Sequence, residues 1–273
     1  MPSYSLQDLL YLMERLRDPL DGCPWDQKQS WASIVPSTIE EAYEVADTIE
    51  REDFAALREE LGDLLFQVVF YAQLGRENDY FGFTEIVDGL VEKLLRRHPR
   101  VFPDGTLQSR RSATELAESE VKQNWESIKK DERRSKGQLD LFADVPMNLP
   151  SLIRAQKLQK RAANVGFDWP DLVGVMDKVE EELAELKVEV KAGNNQAIEH
   201  ELGDLLFSVV NLCRHLKVDA EGAVRHCSQR FENRFELMQH QLSHAGKSLD
   251  QASLAELESA WNQAKRELAG ISS

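Results

Sequence analysis

Residues 60–66 read Glu-Leu-Gly-Asp-Leu-Leu-Phe, and residues 201–207 read Glu-Leu-Gly-Asp-Leu-Leu-Phe again. Each copy is preceded by a Glu-Glu-x-x-Glu run, Glu40-Glu41-x-x-Glu44 in the first and Glu181-Glu182-x-x-Glu185 in the second. From the last Glu of the run to the first of the heptapeptide is 16 residues in both copies, and the copies lie 141 residues apart. Residues 61–72, LGDLLFQVVFYA, carry polar side chains only at Asp63 and Gln67, and LGDLLFSVVNLC at 202–213 repeats the plan around Asp204. Apolar residues on nearly every side predict a buried helix. A carboxylate in such a helix needs a compensating charge. A buried Arg or Lys could supply it, and so could a cation held between carboxylates converging from two helices. One Glu-Glu-x-x-Glu run alone reads as a solvated charged face. Burial and repeated spacing together favour the cation.

The rest of the chain follows a helical period, with no period-two strand signal. Helices are expected over Leu6–Arg17, from a cap at Ser37 or Thr38 to about Arg51, after Asp53 to about Arg76, and over Thr84–Arg97. A Ser112/Glu115 capping box predicts a fifth, to about Arg133. The second half repeats this with Ser151–Ala163, Asp171–Lys191 closed by Gly193, Asn195–Lys217, Asp219 to about His244, and a last helix behind Ser253/Glu256. The expected architecture is all-α, a tandem repeat of two helical-bundle domains at 1–133 and 151–273, with a linker at 134–150 containing Gly137, Pro146 and Pro150.

The 273 residues are 42% hydrophobic with a net charge of −15. That balance supports a packed core and opposes general binding to nucleic-acid backbones. Three cysteines without metal-like spacing read as reduced thiols, and no run of about 18 apolar residues occurs. These features predict a cytoplasmic protein with neither a signal peptide nor a membrane span.

Asp and Glu are hard donors, which favours Mg²⁺ or Mn²⁺ over Zn²⁺. No histidine has Glu three residues before it, so the di-iron Glu-x-x-His pattern is missing. Carboxylate-held Mg²⁺ commonly meets substrate phosphates. Basic pairs at i, i+4 recur downstream, Lys93/Arg97 and Arg230/Arg234, and could neutralise outer phosphates or be ordinary surface charge. Trp125-x-x-x-Lys129 and Trp261-x-x-x-Lys265 end the two halves. Either Trp could stack on a base or close the core. There is no Gly-rich phosphate loop followed by Lys-Ser/Thr.

With its paired acidic motifs, Cys23-Pro24-Trp25-Asp26, Arg97-His98-Pro99-x-Val101-Phe102 and Val165-Gly166-Phe167-Asp168-Trp169, the chain resembles the MazG nucleoside triphosphate pyrophosphohydrolases over essentially its whole length. The resemblance implies an all-α tandem bundle, usually a homodimer, that hydrolyses NTPs, and often dNTPs, to the monophosphate and pyrophosphate; the expected mechanism is attack of a metal-activated water at the α-phosphorus. It implies metal ligands Glu182, Glu185, Glu201 and Asp204, phosphate contacts from Lys178, Arg230 and Arg234, and Trp261 near the nucleotide. Glu181 or a metal ligand would take the water's proton. The first repeat keeps Glu41, Glu44, Glu60 and Asp63 but has Ser37 where the second has Lys178. The resemblance implies that the C-terminal repeat carries the chemistry, and this departure sets the first repeat apart as a site that binds metal while doing little chemistry. A non-catalytic scaffold with structural metal sites and a narrower dUTP- or dCTP-type pyrophosphatase remain the alternatives.

Overall fold

A computed structural model of the chain describes residues 3–110, 128 and 140–271. Within them are nine α-helices and no strand. Apart from residue 128, the expected Ser112–Arg133 helix, with Trp125 and Lys129, lies outside the described residues. None of the described helices is long and apolar enough to cross a membrane. The chain divides into two compact units, Met1–Glu132 and Arg133–Ser273.

In the first unit, α1 (Leu6–Leu16), α2 (Trp31–Glu50), α3 (Phe54–Glu77) and α4 (Phe83–Arg97) pack around α3. Helix α1 starts on a reciprocal Ser5/Asp8 cap, and the Asp53 side chain accepts from the Ala56 amide to start α3. The start of α2 differs from the sequence expectation. It lies six residues before Ser37, at Trp31, because Ser30 and Ser33 cap one another: the Ser33 amide donates to Ser30 Oγ and the Ser30 amide to Ser33 Oγ. Pro36 then sits inside the helix at the cost of one ladder bond rather than ahead of it. Met13, Ile34, Val69, Phe70 and Leu74 form the core, backed by Trp31, Phe66 and Tyr71. Arg17 is nearly buried, reaching Glu77 at 2.6 Å with its guanidinium over the Phe70 ring.

The second unit comprises α5 (Ser151–Ala163), α6 (Leu172–Ala192), α7 (Asn195–Leu216), α8 (Ala220–His244) and α9 (Leu254–Ile271). The most extensive pairing is the α6–α7 hairpin. Asp171 caps the start of α6, and Gly193 ends it in the left-handed region at φ 70°, where a residue with a Cβ is strained. Residues 140–150 form turns held to α5: Arg161 bonds the Leu141 carbonyl and Asp144, and Val145 is buried. A second core lies between α8 and α9, made by Met238, Leu242, Ala260 and Ala264 with Trp261 against it.

One expectation is corrected. Helices α3 and α7 are not buried all round, and Asp63 and Asp204 are exposed. Leu61 and Leu65 in α3, and Leu202, Leu206 and Phe207 in α7, are each at least 40% exposed. Each helix buries one face, Phe70 and Leu74 in α3 and Val210 and Asn211 in α7. A unit with few helices leaves the opposite apolar face uncovered, so an all-round apolar sequence does not enforce all-round burial.

Candidate metal and phosphate site

In each unit the antiparallel pairing of two helices brings acidic motifs together. In the second, Glu182 from α6 meets Glu201 and Asp204 from α7, with one carboxylate oxygen of each within 4.8 Å of the others. In the first, Glu41 from α2 meets Glu60 and Asp63 from α3 within the same limit. Glu44 and Glu185 stand one turn beyond Glu41 and Glu182, and both act electrostatically on their clusters. The buried carboxylate is Glu182, 5% exposed, rather than the aspartates singled out by the sequence.

The two clusters are balanced differently. Lys178 Nζ lies 2.7 Å from Glu182 and 2.9 Å from Glu181, and these carboxylates raise the Lys178 pKa, through hydrogen bonds first and charge second. In the first unit the corresponding residue is the half-buried Ser37. There the carboxylates face mainly one another. Glu41 is raised above the usual carboxylate range by burial, then by Asp63 and Glu44. Glu60 is raised by burial, then by Glu44 and Asp63, with Arg51 opposing weakly. Glu185 is raised by burial, then by Glu182 and Glu201.

Both clusters fit a hard cation. All donors are oxygen and they crowd from two helices; a divalent ion relieves the mutual repulsion that adds to burial in raising these pKa values. The signs predict how stability responds. A carboxyl group raised in the fold contributes stability that is fully present below its unfolded pKa, about 4.3 for Glu, and lost as pH rises through its raised folded value. A cation held by Glu41 and Glu60 in the first cluster, or by Glu185 in the second, offsets that loss. The Tm gain on adding MgCl₂ should therefore be larger near pH ~7.5 than near pH ~4, where protonation competes with the metal. Equal gains at both would contradict a carboxylate-held ion.

The remaining sequence candidates are placed as follows. Glu181 is exposed and paired with Lys178. Arg230 is exposed and Arg234 half-buried on α8, and neither is among the main charges acting on Glu185. Trp261 packs on Phe231, ring centroids 5.2 Å apart, in the α8–α9 core. His200 Nδ1 lies 3.4 Å from Asp204 Oδ2. Sequence reasoning missed an anchor: Asp168 accepts from Arg214 Nη1 at 3.0 Å, with His215 Nε2 also 3.0 Å away, pinning the Phe167–Trp169 loop to α7. The Val165–Trp169 motif covers this loop without revealing its partners.

The MazG nucleotide pyrophosphohydrolase domain matches the chain twice, over residues 29–102 and 174–237. The first span holds Glu41, Glu44, Glu60 and Asp63; the second runs from Lys178 through Arg234 and stops short of Trp261. The nucleoside triphosphate pyrophosphohydrolase of Escherichia coli K12 is 48% identical over 265 residues, covering 96% of this chain and 98% of its own. A Thermotoga maritima protein named nucleoside triphosphate pyrophosphohydrolase/pyrophosphatase MazG is 40% identical over 259 residues, 95% of each chain. A crystal structure of a mazG-related protein from Thermotoga maritima aligns with 46% of this chain and 99% of its own at 26% identity, with a TM-score of 0.38.

Proposed function

The chain belongs to the MazG nucleotide pyrophosphohydrolase family, and from that membership we propose that its second unit hydrolyses nucleoside triphosphates to the monophosphate and pyrophosphate, with Mg²⁺ or Mn²⁺ as cofactor. The observation that carries this reading is the buried Glu182 carboxylate, gathered with Glu201 and Asp204 and flanked by Lys178.

Glu182, Glu185, Glu201 and Asp204 would hold the metal. Bound Mg²⁺ supplies charge neutralisation for the triphosphate and lowers the pKa of a bound water. The chain's own groups do the rest. Lys178, kept protonated by Glu181 and Glu182, donates to a phosphate oxygen. Glu181, exposed and within a hydrogen bond of Lys178, accepts a proton from the attacking water. The water oxygen bonds to the α-phosphorus as the bond from that phosphorus to the bridging oxygen breaks, and pyrophosphate leaves with that oxygen. Arg230 and Arg234 offset its charge, and Trp261 borders the nucleotide.

The first unit keeps the carboxylates without the lysine, and is proposed to bind metal while contributing little turnover. Asp63→Asn should change kcat/KM by less than about threefold, within the range of a substitution remote from the chemistry. A loss matching that of Asp204→Asn would reverse the ranking of the two sites. The uncovered Leu61/Leu65 and Leu202/Leu206 faces favour a homodimer. Sedimentation should then give twice the 31.2 kDa chain mass, and a monomer at micromolar concentration would contradict it.

A further inference from the structure

Helices α6 and α7 form a hairpin joined at Gly193 and open at its far end, where α6 begins and α7 stops. The carboxylates stand midway along it. Glu182 lies 11 residues before Gly193 and Asp204 11 residues after it, so the cluster is about 16 Å from the turn at the rise of an α-helix. A turn fixes only its own end of a hairpin. The spacing of the helices at the cluster therefore depends also on what holds the open end, near Gly174 and Arg214.

The Phe167–Trp169 loop holds it. The two terminal nitrogens of Arg214 donate to the two oxygens of Asp168, Nη1 at 3.0 Å, and Asn211 Oδ1 accepts from Arg214 Nε at 2.9 Å, which orients the guanidinium. The Asp168, Arg214 and His215 side chains are each 27% exposed or less. Asp168 Oδ1 also accepts from the Trp169 amide at 2.9 Å. The indole of Trp169 lies against the first turn of α6: a Cβ at position 174 would stand 2.6 Å from Trp169 Cδ1, so only glycine allows the approach. The Gly174 amide donates to Asp171 Oδ1 at 3.2 Å, which grips the same turn from its other side. Gly174, Lys178 and Glu182 follow one another at i, i+4 and i+8, along one face of α6.

The first unit supplies the contrast. At the repeat offset of 141 residues, Ser33, Ser37 and Gln73 stand where the second unit has Gly174, Lys178 and Arg214. Ser33 serves the cap with Ser30, and Gln73 donates to Glu77 at 3.0 Å. The loop before α2 is tied down by Arg17 of α1, which pairs with Glu77 and donates to the Asp26 carbonyl. The run from guanidinium to aspartate to indole to glycine belongs to the unit that also has the lysine.

We propose that Asp168 is a positioning residue for the metal site: through Arg214 and Trp169 it clamps the open end of the α6–α7 hairpin and sets the distance of Lys178 and Glu182 from Glu201 and Asp204. The proposal rests on the pyrophosphohydrolase reading and adds to it a residue that acts only through other side chains. Asn at 168 keeps the shape but loses the charge facing Arg214, so the loop, the indole and the first turn of α6 gain freedom. The carboxylates then present a less defined spacing to a cation. Mg²⁺ demands near-ideal octahedral geometry and suffers from this, whereas Ca²⁺ accepts irregular oxygen shells. Loss of the clamp thus shows as a loss of preference between two ions of equal charge.

The test titrates the full-length wild type, Asp168→Asn, Asp168→Glu, Gly174→Ala and Asp204→Asn with MgCl₂ and with CaCl₂ by calorimetry, the second-unit site being the one that Asp204→Asn removes. Thermal melting confirms that each variant folds. Asp168→Asn should weaken Mg²⁺ at that site about tenfold, the low end for a group that orients metal ligands, and Ca²⁺ by less than about threefold. Gly174→Ala leaves the ion pair in place and displaces the indole, and should weaken Mg²⁺ severalfold. Asp168→Glu keeps the charge and should recover part of what Asn loses. A folded Asp168→Asn with wild-type Mg²⁺ affinity would overturn the proposal, and so would equal losses for the two ions, the mark of general loosening. Wild-type Mg²⁺ affinity in Gly174→Ala would overturn it too, and decides the matter alone should Asp168→Asn fail to fold. Pyrophosphate release from NTPs is read on the same wild-type protein. The predicted losses of Mg²⁺ without hydrolysis would sink the catalytic reading alone, and hydrolysis with none of those losses would sink the clamp alone.

Discussion

Asp204→Asn should lower metal-dependent release of pyrophosphate by at least about 100-fold while leaving the melting temperature of the metal-free protein nearly unchanged. Substitutions of groups that merely orient a metal ligand cost about 10–100-fold, and a ligand should cost no less. The fold should tolerate the change because Asp204 is about half exposed, and His200, which pairs with it, is more exposed still. Asn keeps the shape and one oxygen but removes the charge a hard divalent ion requires. The MgCl₂-induced gain in Tm should shrink in the same variant. Turnover within threefold of wild type would remove Asp204 from the site.

Lys178→Met carries the second large effect, and it separates two roles of one residue. Lys178 pairs with the buried Glu182, with side chains 33% and 7% exposed. Removing one partner of a buried pair strands the other charge, typically at about 3–5 kcal/mol. A third of Lys178 faces water, so about 2 kcal/mol is expected here, a fall in Tm of roughly 5 °C. Added MgCl₂ should restore more of that loss than it adds to wild type, because the ion takes over the charge opposite Glu182. Turnover should stay low even so, about 100-fold down, since the donor to phosphate is gone. Full activity with an unchanged Tm would show that the Lys178–Glu182 contact is incidental.

The sequence carried most of the helix plan because its punctuation is local. Asp53, Asp171 and Ser253/Glu256 act on amides within three residues, and Gly193 on the carbonyls of its own helix. The start of α2 was misread where two local rules compete, a proline at 36 against a serine pair at 30 and 33, and the reciprocal cap prevails. The repeat placed Glu41, Glu60 and Asp63, and Glu182, Glu201 and Asp204, on helices that the structure brings together. Burial was less legible. An apolar run states which faces could be covered, and only packing decides which are, so Asp63 and Asp204 are exposed and Glu182 is not. Contacts between segments were not legible at all. Gln159 meets the Phe207 carbonyl and Asp168 meets Arg214 from three separate segments, and although Asp168 stands in the Val165–Trp169 motif, nothing local in that motif names its partner.

The most direct test of the account is the product of the reaction. Purified chain incubated with MgCl₂ and each of the four NTPs and dNTPs should release pyrophosphate and nucleoside monophosphate in equal amounts, and EDTA should stop both. Release of inorganic phosphate with nucleoside diphosphate, or no release from any nucleotide, would contradict it.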